Sequence, residues 1–144
     1  MTYEEIQPGI AAKVAANASL ALLGAAIEAD PFADPDTAKA AIAAKLRATG
    51  VCIEVGFPWI ASPETSLGGS TLVDAVCEVF AAEHTQVAHT PAKASLVTTL
   101  IKAITKPVGV QKPIRLRACE SVKTEHGYIL HMMSFYVPTN VKQS

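Results

Sequence analysis

The clearest period in the chain lies near its C-terminal end. In KPIRLRACESVKTEHGYILHMMSFYV, residues 112–137, Ile114, Leu116 and Ala118 alternate with Arg115, Arg117 and Cys119. After Thr124-Glu125-His126-Gly127, the positions Ile129, His131, Met133, Phe135 and Val137 alternate with Tyr128, Leu130, Met132, Ser134 and Tyr136. A period of two belongs to a strand, so the stretch predicts a hairpin of two long strands. The return strand is apolar on both faces. Helices cover one face, and the other calls for a partner. An earlier pair reads alike. Val51, Ile53, Val55 and Phe57 alternate with Cys52, Glu54 and Gly56, and Pro58 ends that strand or places it at an edge. In TLVDAVCEVFAA, residues 71–82, Val73, Ala75, Cys77, Val79 and Ala81 make a uniformly apolar face that should meet the core. Leu72, Asp74, Val76, Glu78 and Phe80 make a mixed face suited to water or a neighbouring subunit. Between the two runs, residues 61–70 carry Pro63, Gly68 and Gly69 and predict a loop, with Trp59 and Ile60 at its entrance.

The helical pattern is of three kinds. Residues 10–29 are dominated by Ala and Leu and predict a helix that is apolar nearly all round, weakened at Gly24. Asp30-Pro31-Phe32-Ala33-Asp34-Pro35 breaks it. Asp34 then caps a second helix over residues 35–49, with Pro35 at its first position and Gly50 as its stop. A third helix runs from Pro91 to Lys106 with Thr90 as its cap, and Leu96, Val97, Leu100, Ile101 and Ile104 form its apolar stripe. Residues 138–144 read as a loose polar tail. The expected fold is therefore α+β: a four-stranded, mostly antiparallel sheet of two β-hairpins, packed by helices on one face. Residues 1–34 form an Ala-rich helical segment, 35–138 the core domain and 139–144 the tail.

Composition narrows the function. The 144 residues are half apolar and carry a net charge of −1, which fits one folded domain and gives no sign of a sequence-specific nucleic-acid binder. MTYEEIQPGI is acidic where a signal peptide is basic, and the Ala-rich stretch is too short and polar to span a bilayer, so a soluble protein made in the cytoplasm is expected. The three cysteines, Cys52, Cys77 and Cys119, are widely spaced and sit in strand-like stretches, which suits small buried hydrophobes in a reducing compartment. No spacing of His, Cys, Asp and Glu suggests a metal. GxSxG, P-loop, GxGxxG and HExxH motifs are absent, so no cofactor and no catalytic residue is expected.

The order of elements resembles the tail terminator and tail-completion (neck) proteins of long-tailed bacteriophages. The likeness lies in KAAIAAKLRATG running directly into VCIEVGFP, the acidic-apolar TLVDAVCEVFAAEH, the helix ASLVTTLIKAITKP and the closing GYILHMMSFYVPT, and it covers residues 35–138. The resemblance implies a virion protein made in the host cytoplasm. It would form a ring, commonly sixfold, at the head-proximal end of the tail. The ring caps the tail tube, meets the tail tube protein and the head–neck connector, and leaves a lumen for DNA. Trp59, Ile60, Leu67, Phe80, Arg115, Arg117, Met133 and Phe135 are then the subunit-interface candidates. Two other readings stand beside it. One is a small ligand-binding domain or enzyme whose cleft holds Glu78, His84, His89, Arg115 and Arg117. The other is a dimerisation module that pairs sheets across the open face.

Overall fold

The computed structural model describes residues 1–65, 70–124 and 126–142. The fold is α+β. A 3-10 turn at Tyr3–Glu5 leads into α1 (Ile6–Ala16) and α2 (Ala18–Ala21), then β1 (Ile27–Glu28), α3 (Pro35–Thr49), β2 (Val51–Val55), β3 (Trp59–Thr65), β4 (Ser70–His84), α4 (Ala94–Thr105), β5 (Arg115–Lys123) and β6 (Tyr128–Lys142). Among the described residues the sheet has six strands rather than the expected four. Its order is β1-β2-β4-β6-β5, with β3 also paired to β4. β1 and β2 are parallel and joined through α3, a crossover unit. The other pairs are antiparallel.

Several expectations hold in detail. Asp34 caps α3, its side chain accepting from the Thr37 N–H at 3.1 Å, and Gly50 closes it at φ +81°. The face of β4 carrying Val73, Ala75, Cys77, Val79 and Ala81 is buried. Leu96, Leu100, Ala103 and Ile104 of α4 pack on it together with Ile6, Ile10 and Val14 of α1. Facing them from β6 are Met133, Phe135 and Val137.

Other expectations need correction. Residues 10–29 are not one helix. Asn17 turns extended, ends α1 and caps α2 by accepting from the Leu20 N–H at 3.1 Å. Gly24, at φ +91°, turns the chain so that Ile27–Glu28 joins the sheet. α1 buries one stripe, not its whole circumference: Ile6, Ile10 and Val14 are buried, while Ala12, Ala15 and Ala16 are exposed. The stripe belongs to the same core as residues 35–138. Residues 61–65 are strand, not loop. β2 stops at Val55, which leaves the rest of that edge of β4 unpaired, and the chain continues in the same direction along it as β3. Pro63 is tolerated because β3 is an outer strand. α4 begins at Ala94, beyond Thr90 and Pro91, and has no side-chain cap. Residues 139–142 of the expected loose tail are paired too, since β6 runs on to Lys142, opposite Ser70, and residues 143–144 lie outside the described residues.

The helices occupy both faces. Directly opposite residues in a ladder share a face, so Val51, Glu83 and Ile129 point one way and Cys52, Ala82 and Leu130 the other. α1 and α4 lie on the first, inner face. α3 lies on the outer face, where its Ile42, Ala43 and Leu46 border a cavity with His84 and Tyr128. A parallel crossover must pass over the sheet, and the inner face is already filled. Among the described residues, no helix is long and apolar enough to cross a membrane.

Phe135 is 0% exposed at the centre of this core. Phe135→Ala should therefore cost about 3–5 kcal/mol of stability in urea unfolding, through the cavity it leaves. A loss below about 1 kcal/mol would contradict this placement.

Candidate functional site

The outer face away from α3 is a grid set by strand register. One row runs Trp59, Val76, Tyr136, Arg115 across β3, β4, β6 and β5. A second runs Glu54, Phe80, Met132, Glu120 across β2, β4, β6 and β5, and a third Cys52, Ala82, Leu130, Val122. Val76 is 1% exposed, whereas Trp59 is 42% exposed and Phe80, Met132 and Tyr136 are half-buried. Charge surrounds this apolar middle. The Arg115 guanidinium lies 5.2 Å from the centre of the Tyr136 ring and donates to Asp74 Oδ2 at 3.1 Å. An exposed ion pair contributes about 0–1 kcal/mol, and the ring contact about 0.5–1 kcal/mol. Their main effect is to hold the guanidinium flat against the sheet. Arg117 donates to Ser134 Oγ at 3.3 Å and, with Glu78, Glu120 and Met132, borders a groove of about 440 Å³. Glu54 stands among these groups, and burial pushes its carboxyl above the usual range.

Four sequence candidates, Trp59, Phe80, Arg115 and Arg117, thus come together on one face. The others do not. Ile60 opposes Ala75 and points to the inner side. Met133 and Phe135, 1% and 0% exposed, are core residues of the opposite strand parity and are closed to any partner. Leu67 lies outside the described residues. The cleft set disperses as well. Glu78 and Arg117 line the outer groove, His84 sits against Tyr128 under α3, and His89 is elsewhere.

β5 adds a second feature. All nine of its residues are exposed, including Leu116 at 41% and Val122 at 42%. It pairs with β6 on one side, and its other edge is the margin of the sheet. A long outer strand with both faces uncovered is a template for further pairing.

A buried polar cluster lies at the far end of the core. Glu83, 1% exposed, accepts at Oε1 from His89 Nε2 at 2.7 Å and from the Lys93 N–H at 2.8 Å, and at Oε2 from His131 Nε2. Ser121 Oγ lies 2.7 Å from His131 Nδ1. His89 Nδ1 lies 2.7 Å from the Val87 carbonyl. Burial alone would raise the Glu83 carboxyl, but the bonds from His89, His131 and the Lys93 amide outweigh it and hold the carboxyl below its usual range. Ser121, His131 and Glu83 stand in the hydroxyl–imidazole–carboxylate order of a hydrolytic triad. His131 and Glu83 are nonetheless sealed from solvent, and their bonds fasten residues 87–93 to β4 and β6. The sequence motifs missed this cluster, although strand parity marks it. Glu83 continues the inward positions Val73 to Ala81, and His131 those of Met133 and Phe135. Among the described residues no group of three or more His, Cys, Asp and Glu side chains is arranged to hold a metal ion.

No known family model matches the chain, and no curated protein does.

Glu83→Gln should cost about 3–5 kcal/mol at pH 7, because a buried charge network loses its anion. The depressed Glu83 carboxyl stabilises the fold above the unfolded value near 4.3 and ceases to as pH falls through its lower native value. The gap between wild type and variant should therefore narrow below about pH 4 in urea unfolding. A gap independent of pH would contradict the assignment.

Proposed function

We propose that this chain is a non-enzymatic assembly subunit, a virion protein of the tail terminator or tail-completion type. It builds a ring at the head-proximal end of a phage tail, against the tail tube protein on one side and the neck connector on the other. The observation that carries this reading is the uncovered sheet. Its outer face sets Trp59, Phe80, Met132 and Tyr136 among Glu54, Asp74, Glu78, Arg115 and Arg117, and its outer strand β5 is exposed throughout. Mixed apolar and charged surface of this kind suits subunit contacts, in which aromatic and Arg side chains anchor and charge sets register. A head-to-tail contact that closes by rotation gives a ring. An enzyme reading draws on the Ser121–His131–Glu83 chain alone.

Electron micrographs of the purified chain should show closed rings of about six copies. A uniform monomer would sink the proposal, and a closed dimer would favour a dimerisation module. Trp59, 42% exposed, should behave as an anchor. Trp59→Ala is expected to raise the concentration for half-assembly about tenfold or more, with urea unfolding unchanged. Unaltered assembly would remove Trp59 from the interface.

A further inference from the structure

The two lateral margins of the sheet differ in charge and in shape. At the β1 margin, the loop into α3 holds Phe32 out in solvent, 91% exposed. Asp30, Asp34 and Asp36 surround it, all exposed. The loop has a defined form. The Phe32 N–H donates to Asp30 Oδ1 at 2.9 Å, and Asp34 is held by capping α3.

At the β5 margin, the segment between α4 and β5 walls a cavity of about 190 Å³ against α1 and the far part of β6. Val108, Ile114 and Val137 give it an apolar floor, and Lys13, Lys106 and Lys112 ring it. Among the described residues no acidic side chain lines it. Val108 is 57% exposed and Val110 fully so. A cavity of about 150 Å³ accepts a benzene ring, so this one has room for a phenyl group. Its charges are unbalanced. The Lys13 amine donates to the Lys106 carbonyl at 2.7 Å, and burial, with the neighbouring Lys106 charge, lowers Lys13 from the usual lysine value. Carboxylates brought to the rim would relieve that crowding.

We propose that Phe32 of one copy seats in the Lys13–Lys106–Lys112 cavity of a second copy, its flanking aspartates pairing with those lysines. The proposal rests on the assembly reading above and names one of its contacts. β1 and β5 are the two ends of the strand order, so plug and socket lie at opposite margins. The contact is heterologous: each copy gives a plug and takes one, and the chain of copies closes or grows. Salt should weaken it.

The test uses two variants of the full chain, Phe32→Ser to remove the plug and Val108→Asp to block the socket. Both positions are exposed, so thermal unfolding should match wild type. Alone, each variant should sediment as a monomer at concentrations where wild type assembles. An equimolar mixture should form a heterodimer, since one intact plug meets one intact socket. Either variant assembling as wild type does, or a mixture that stays monomeric, overturns the contact. If wild type and both variants form rings, the ring stands and this contact falls. If the mixture dimerises while wild type grows into open filaments, the contact stands and the ring falls.

Discussion

Everything else in the structure depends on the ladder between β4 and β6. The two strands pair over their full length, from Ser70 opposite Lys142 to His84 opposite Tyr128. Fifteen residues of strand reach roughly 50 Å at about 3.3 Å per residue. The two main inner helices, of 11 and 12 residues, reach only about 16–18 Å each. The inner positions of the ladder are nonetheless buried from Val73 to Glu83 on β4 and from His131 to Thr139 on β6, so the uncovered surface lies on the outer face. An apolar strand such as β6 is half hidden by α1 and α4 on its inner side, where Met133, Phe135 and Val137 lie. Its outer positions, Leu130, Met132 and Tyr136, stay half-buried in a face that α3 approaches at one end.

The same ladder positions the polar groups. Its register brings Glu83 beside Ile129 and Ala81 beside His131, which puts a carboxylate and an imidazole within bonding reach on the inner side. One step along the strand, parity reverses, and Phe80, Met132, Glu78 and Ser134 face outward. The inner cluster spends its bonds on itself and on residues 87–93, which it holds in place, although Glu83 and His89 also border a cavity of about 560 Å³. The crossover through α3 adds direction across the sheet. It leaves an acidic margin beside β1, at Glu28, Asp30, Asp34 and Asp36, opposite a basic margin at Lys112, Arg115 and Arg117. A subunit with unlike margins is suited to head-to-tail neighbours rather than to a twofold pair.

Much of this was legible in the sequence where local chemistry decides. Asp34, Pro35 and Gly50 bound α3 because capping is local, and the alternation in TLVDAVCEVFAA gave the buried face because parity is local. Arg115 and Arg117 share a face as their spacing implied. What was hidden depends on partners distant in the chain. Nothing local says that Trp59–Thr65 will pair, since that follows from the open edge of β4 beyond β2. Nothing local places α3 on the face opposite α1, since that follows from the parallel pairing of β1 and β2. Met133 and Phe135 drew attention as interface residues because both faces of β6 are apolar. Periodicity separates the two faces of a strand without saying which the helices will take. Glu83 and His131 form no local motif, since their contact spans 48 residues of chain.

In the proposed assembly, further copies of the chain cover the outer face of the sheet. The most direct measurement is sedimentation equilibrium of the unmodified protein over a wide concentration range. The average mass should rise from the 15.1 kDa of one chain to a plateau of roughly six times that value. A mass fixed at one chain at every concentration would contradict it.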